Sequence, residues 1–279
     1  MKQALCSVTS NVEVMPGVYL MWIKAPDIAA AAQPGQFISV RCGSFTLRRP
    51  FSIHQVGGNN VIASPDAIGT KQSQIALLFK VVGKGTFWLS QRQTGERIDI
   101  LGPLGKGFTI EPRSKNLLLV AGGIGIAPLV FLMQHASSQH QITLIHGAST
   151  AAQLYPFSSD GKKRNKLSPL PNRVQFIPVT EDGTTGQKGM ATHILPDFLD
   201  WADQVYACGP LEMYETMAEL SLRSNLKLKK CQVSLEVRMG CGFGACYGCT
   251  INTKKGLKRI CRDGPVFELD DIIWQEVRI

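Results

Sequence analysis

Four cysteines near the end of the chain, Cys241, Cys246, Cys249 and Cys261, follow the spacing C-x4-C-x2-C-x11-C, and no other feature restricts a local fold so tightly. They sit among Gly240, Gly242, Gly244 and Gly248. The first three match the plant-type [2Fe-2S] spacing, in which a loop wraps the cluster and a fourth Cys arrives from further along. Glycine suits such a loop, because backbone N–H groups must approach the sulfurs at angles and distances that side chains would block. Structural zinc usually pairs two C-x2-C knuckles, and this segment has one. Four inert thiols are the remaining reading, and the density of Cys among Gly argues against it. Cys6, Cys42 and Cys231 lack such a context and read as small buried hydrophobes.

The cysteines also bear on location. The chain has eight of them, and the opening Met1-Lys2-Gln3-Ala4-Leu5-Cys6-Ser7-Val8 turns polar too early for a secretory signal. Metal ligation in a reducing compartment, the cytoplasm, is therefore expected rather than a disulfide scaffold. Leu117 to Met133 is uncharged and nearly long enough for a bilayer, but Gly122, Gly123, Gly125 and Pro128 interrupt it. A strand, a tight turn and a helix start account for it, so no membrane association is expected. The net charge of +9 lies in scattered patches, Lys162-Lys163-Arg164, Lys227 to Lys230 and Lys254 to Arg259. No nucleic-acid motif accompanies them; solvated loops come first and docking of an acidic protein second.

The 279 residues change texture twice. Residues 1–112 carry short apolar or alternating runs, including Val18–Ile23, Gln36–Arg41, Ile75–Val82 and Arg97–Leu101, which predict an N-terminal antiparallel β-barrel. In residues 113–225, the apolar strands Leu117–Ala121, Ile142–His146, Val174–Val179 and Gln204–Ala207 alternate with helical stretches. That alternation predicts a parallel α/β domain covered on both faces. Ser158 to Pro171 reads as an exposed loop. Residues 226–279 form a small C-terminal module around the cysteines.

Two segments suit cofactors. Arg49-Pro50-Phe51-Ser52 ends a strand of the expected barrel: Arg neutralises a pyrophosphate, an aromatic covers a flavin, and Ser reaches its reactive nitrogen. Leu78-Phe79-Lys80 follows, and in Gly83-Lys84-Gly85-Thr86-Phe87 a turn opens a short helix whose amides suit phosphate. Gly122-Gly123-Ile124-Gly125-Ile126-Ala127-Pro128 lies between an apolar strand and a helix, the place for a dinucleotide. Cys208-Gly209-Pro210 ends another strand on the same crevice. Cys208 either contacts the nicotinamide end or is a packed core thiol.

In this order the segments resemble the ferredoxin–NADP reductase superfamily, with its R-x-[YF]-[ST], G-G-x-G-x-x-P and C-G-P motifs. Glu236 to Cys249, Lys258 to Phe267, Thr180-Glu181-Asp182-Gly183 and Gly186-Gln187-Lys188-Gly189 narrow the likeness. They resemble the electron transfer subunits of class 1B dihydroorotate dehydrogenases. The resemblance implies FAD held by Arg49, Pro50, Phe51, Ser52, Leu78, Phe79, Lys80, Gly85 and Thr86. It implies NAD held by Gly122, Gly123, Gly125, Cys208, Gly209 and Pro210, with Ser52 and Cys208 at the reacting centre. It further implies a hetero-oligomer with an FMN-containing catalytic subunit, from which electrons pass through [2Fe-2S] and FAD to NAD+ in pyrimidine biosynthesis. A (β/α)₈ barrel needs ~250 residues, so dihydroorotate oxidation must occur on another chain. Two alternatives remain: the NAD(P)H-oxidising subunit of a sulfide dehydrogenase or ferredoxin-linked transhydrogenase, and a non-catalytic iron–sulfur sensor. After the second parallel strand, Gly147-Ala148-Ser149-Thr150 offers no Arg for a 2′-phosphate, which favours NAD.

Overall fold

Val, Ile, Leu and Phe recur at alternating positions in the first third of the chain, and the chain there is extended. The computed structural model describes residues 1–57, 73–157, 167, 169–223 and 230–277. Its first strands are β1 (Lys2–Met15), β2 (Val18–Lys24), β3 (Phe37–Val40) and β4 (Arg49–Ser52), with helix α1 (Pro26–Ala31) after β2. There follow β5 (Gln55–Gly57), β6 (Gln74–Lys80), α2 (Lys84–Ser90) and β7 (Arg97–Leu104). All seven strands pair antiparallel in the order β4-β3-β7-β1-β2-β6-β5. The sheet curls until Phe51 on β4 lies 5.6 Å from Phe79 on β6, ring to ring. Ile38, Val40, Ile75, Leu77, Ile98 and Ile100 fill its interior. This is the expected barrel.

The middle of the chain gives β8 (Asn116–Gly122), a 3₁₀ turn (Gly123–Gly125), α3 (Ile126–Ala136), β9 (Gln141–Ala148) and β10 (Val174–Thr180). Next are β11 (Gln187–Lys188), α4 (Ala191–Ile194), β12 (Gln204–Cys208) and α5 (Leu211–Arg223). On β8, Leu118 and Val120 enter one apolar cluster and Leu117 and Leu119 another. A strand buried on both faces has no polar alternation, which is why the run reads as continuously apolar. The uncharged stretch from Leu117 to Met133 is thus strand, turn and helix, and no helix among the described residues is long and apolar enough to cross a membrane. Helix α3 is wedged between this sheet and the barrel, packing with Trp22 and Leu78 of the latter.

The last segment is less separate than its texture suggests. β13 (Cys231–Ser234) pairs parallel with β12, and β16 (Val266–Glu268) pairs antiparallel with β13. The central sheet therefore runs β11-β10-β9-β8-β12-β13-β16. Between β13 and β16 the chain leaves the sheet, forms the cysteine loop, the hairpin β14 (Thr250–Thr253) and β15 (Gly256–Arg259), and α6 (Ile260–Asp263), then returns. The expected boundary at residues 225 and 226, the loop residues 158–166 and 168, and the basic residues 162–164 and 227–229 lie outside the described residues.

Candidate functional site

A cleft of about 850 Å³ opens between the barrel and the carboxyl ends of β12 and β13, in the size range of cofactor pockets. Arg49, Pro50, Phe51, Ser52, Leu78, Phe79, Lys80 and Thr86 line one wall, and Gly209 and Pro210 the other. Curling brings β4 beside β6, so residues far apart in sequence share that wall. Arg49 Nη1 donates to the Leu47 carbonyl at 2.7 Å, and its guanidinium lies 5.9 Å from the Phe45 ring. Among the described residues it has no carboxylate partner, whereas neighbouring Arg48 is paired with Asp99 at 2.6 Å. Arg49 is thus a cation available to an anionic ligand. Gly85 does not line the cleft; a Cβ there would stand 3.1 Å from Arg49 Nε, so the glycine lets the arginine lie across the start of α2. The Thr86 hydroxyl accepts from Val82 N–H and Gly83 N–H and donates to the Gly83 carbonyl. It is occupied in capping its own helix.

At the topological switch point, where the chain passes from the β9 side of β8 to β12, two glycine turns meet. A Cβ on Gly122 would lie 2.6 Å from Pro210 Cδ, and one on Gly125 would collide with the Cys208 carbonyl. Gly122, Gly123 and Gly125 are absent from the cleft lining, while Ile124 and Ala127 reach it. The structure does not bring the Cys208 thiol to the cleft: it is 1% exposed. Burial, more than the nearby Glu236 charge, holds its pKa well above the usual thiol value. Of the two readings of Cys208, the geometry matches the packed thiol.

The cysteine loop lies against the barrel. Gly242 follows Cys241, and a Cβ on it would stand 3.5 Å from Ser39 Oγ on β3, the neighbour of β4. Val237 and Met239, just before the loop, line the cleft itself. Gly242 and Gly244 have φ of 79° and 93°, as does Tyr247 at 59°, so the loop turns through the left-handed region three times. That curvature aims backbone donors inward: Ala245 N–H and Cys246 N–H face Cys241 Sγ at 3.2 and 3.5 Å, Gly248 N–H faces Cys246 Sγ at 3.4 Å, and Cys261 N–H faces Cys249 Sγ at 3.5 Å. Burial raises the Cys241 pKa, but the Phe243, Cys246 and Ala245 amides outweigh it and bring the thiol down to about 6. Burial and the adjoining Cys249 push Cys261 up to about 12.

Cys246 neighbours Cys241, and Cys261 feels both Cys249 and Cys241, so the four thiols act on one another within one loop. Among the described residues no three His, Cys, Asp or Glu side chains gather as a single metal ion requires. Sulfurs ringed by N–H donors in this spacing suit a [2Fe-2S] cluster.

Residues 236–273 match the iron-sulfur cluster binding domain of dihydroorotate dehydrogenase B, and residues 119–219 match an oxidoreductase NAD-binding domain. The chain is 38% identical to the dihydroorotate dehydrogenase B (NAD(+)) electron transfer subunit of Desulforamulus reducens, over 94% of this chain and 95% of that one. With the subunit of the same name from Clostridium acetobutylicum it shares 33% identity over 99% of both chains. It belongs to the family of dihydroorotate dehydrogenase B electron transfer subunits. The fold also superimposes on an NADH-dependent reduced ferredoxin-NADP oxidoreductase known for flavin-based electron bifurcation, with TM-score 0.78 and 27% identity, over 98% of this chain and 91% of that one. A Neisseria gonorrhoeae ferredoxin NADP+ reductase shares the fold at TM-score 0.60 and 16% identity, over 84% of this chain and 98% of that one.

In this member of the electron transfer subunit family, several cleft residues carry no local sequence signal. Arg48 lines the cleft because it directly precedes β4, and Glu236, Arg238 and Met239 because β13 ends there. Crowding by the surrounding protein raises the pKa of the Glu236 carboxyl, although water still reaches it through the cleft mouth. Two buried histidines, His54 and His146, stand behind the glycine turn Gly122–Gly125. A single His inside an apolar strand carries no spacing pattern that would mark it.

Proposed function

We propose that this chain carries electrons from the FMN of a dihydroorotate-oxidising partner subunit through its own [2Fe-2S] cluster and FAD to NAD+. The observation that carries the reading is the placement of the cysteine loop. It abuts β3 on one side and runs directly into the lining of the cleft on the other, so a one-electron carrier and a flavin would be neighbours. Bound FAD supplies the conversion between one-electron transfer and hydride transfer.

Cys241, Cys246, Cys249 and Cys261 are the cluster ligands in this reading. Arg49 neutralises the FAD pyrophosphate, and Pro50, Phe51, Leu78, Phe79 and Lys80 border the isoalloxazine side of the cleft. Ser52 presents its hydroxyl to the ring, and Gly85 with Thr86 shapes the turn beneath. Gly122, Gly123 and Gly125 hold the nucleotide turn open, and Gly209 and Pro210 face the nicotinamide; Cys208 supports them from within the core. At the ends of β9 and β10, the Ser149 hydroxyl donates to Glu181 at 3.0 Å. An acid there suits the free 2′-hydroxyl of NAD rather than a 2′-phosphate. The working partition is residues 1–112 for FAD, 113–225 for NAD and 226–279 for the cluster, with β13 and β16 of the last completing the central sheet.

Docking of the partner is expected on the outer side of the cluster loop. Phe243, Tyr247 and Leu257 are about half exposed there, beside Lys254 and Lys258, and exposed aromatic residues of this kind anchor interfaces. The complex works in the cytoplasm. Alone, the chain should reduce dyes with NADH and should not oxidise dihydroorotate. Co-expressed with the FMN subunit it should form orotate in an NAD+-dependent way, and Cys249→Ala should abolish that transfer. Failure of the two chains to co-purify would sink the reading. The likeness to the bifurcating reductase favours a second one, a subunit exchanging electrons with ferredoxin; turnover of reduced ferredoxin without dihydroorotate by the native complex would select it.

A further inference from the structure

His54 and His146 are each fully buried, and both answer to one tyrosine. His54, in the link between β4 and β5, has Nδ1 2.9 Å from the Ala127 carbonyl and Nε2 3.1 Å from the Tyr155 hydroxyl. His146, on β9, has Nε2 3.0 Å from the Gly123 carbonyl, while Tyr155 N–H points to its Nδ1 at 3.4 Å. A carbonyl only accepts, so the ring nitrogen facing it must bear the proton. His54 is therefore the Nδ1–H tautomer and His146 the Nε2–H tautomer. The remaining nitrogen of each accepts from Tyr155, once from its hydroxyl and once from its amide.

The two carbonyls so held bracket the glycine turn. Gly123 sits at φ 52°, a region open to glycine and strained for other residues, so its peptide plane is not fixed by local sterics. The Gly123 carbonyl takes Ile126 N–H as well as His146. A trans peptide is planar with its C=O and N–H opposed. Drawing the Gly123 oxygen inward to buried His146 therefore turns Ile124 N–H the other way, outward, and the Ile124 side chain lines the cleft. At the far end, His54 ties the first turn of α3 to the residue two positions beyond Ser52.

We infer that His146 is a positioning residue for dinucleotide binding. It sets the Gly123–Ile124 peptide so that its N–H faces the nucleotide pyrophosphate, while His54 and Tyr155 hold that turn in register with the flavin wall. The inference rests on the reading of Gly122–Gly125 as the nucleotide turn.

The test measures NAD+ dissociation constants and FAD content on holoprotein carrying H146L, H146Q or G123A. H146L should weaken NAD+ by about tenfold, the scale at which positional coupling operates, and leave FAD content unchanged. Gln places an amide donor near the Nε2 position, so H146Q should return to within about threefold of the parent. Parent-like affinity in H146L, or equal weakening in H146Q and H146L, overturns the proposal. G123A separates the two layers: parent-like affinity there removes the nucleotide reading itself, whereas weakening in G123A alone removes only the role of His146. Should H146L fail to yield folded holoprotein, ¹⁵N NMR of the parent decides. The His146 Nε2–H resonance should shift when NAD+ is added, and an unmoved resonance refutes the coupling.

Discussion

Acidification should loosen this protein through the same two histidines. Burial lowers both pKa values from 6.5 to about 4, against a smaller opposing effect of the hydrogen bonds to Ala127 and Gly123. Each ring is thus neutral in the fold and takes up a proton on unfolding once the pH is below 6.5. Their contribution to stability is whole above that value, falls as the pH drops, and levels off below about 4. Between pH 8 and pH 5 the loss is about 2 kcal/mol for each histidine, tending to about 3 kcal/mol at lower pH. Set against a total stability of roughly 5–15 kcal/mol, the pair removes a large share. The assay is denaturant unfolding of FAD-loaded protein at several pH values, with H146Q measured beside the parent. Carboxylates such as Glu236 and Glu268, whose raised pKa values act in the opposite sense, cancel in the difference. The parent should lose about 2 kcal/mol more than H146Q between pH 8 and pH 5. Parallel curves would refute the reasoning, since they would mean that His146 is charged or solvated in the folded state.

Cys249→Ser should yield protein with depleted iron and sulfide by elemental analysis and without the EPR signal of a reduced cluster; zinc in the parent preparation would refute the ligand set. Arg49→Ala should lower FAD affinity by roughly 1.5–3 kcal/mol, the worth of a charge-assisted contact, read as FAD lost on gel filtration. Gly125→Ala forces a methyl into the Cys208 carbonyl, so its melting temperature should drop by the equivalent of roughly 1–3 kcal/mol of overpacking. Paired substitution of Tyr247 and Leu257 by Ser should weaken co-purification with the FMN subunit while leaving NADH–dye reduction intact.

Much of the architecture was legible because its causes are local. The uniformly apolar Leu117–Ala121 marks a strand covered on both faces, and the glycines that follow mark its turn into α3. The spacing of Cys241, Cys246 and Cys249 forces a tight loop whatever surrounds it, since the glycines between them carry the left-handed turns. The Arg-Pro-Phe-Ser segment, expected at the end of a strand, is itself the short strand β4. Chemistry that depends on neighbours within a few residues is written in the order of residues.

What sequence order could not fix was which segments touch across the molecule. Cys208 follows the same motif logic as Gly209 and Pro210, yet it is the last residue of β12, a strand buried along its whole length, whereas the glycine and proline lie beyond the strand end at the cleft. The change of texture near residue 226 suggested a free-standing module, but β13 and β16 had hydrogen-bonding groups to satisfy and found them at the edge of the central sheet. That pairing places Glu236, Arg238 and Met239 in the cleft and Gly242 against Ser39. His54 and His146 lie 92 residues apart, and nothing in either neighbourhood points to Tyr155. The sequence by itself determined the elements, the turn chemistry and the candidate ligands. The assembly of flavin wall, nucleotide turn and cluster loop around one cleft was decided by tertiary packing, because hydrophobic burial fixes long-range contacts without leaving a pattern at any single position.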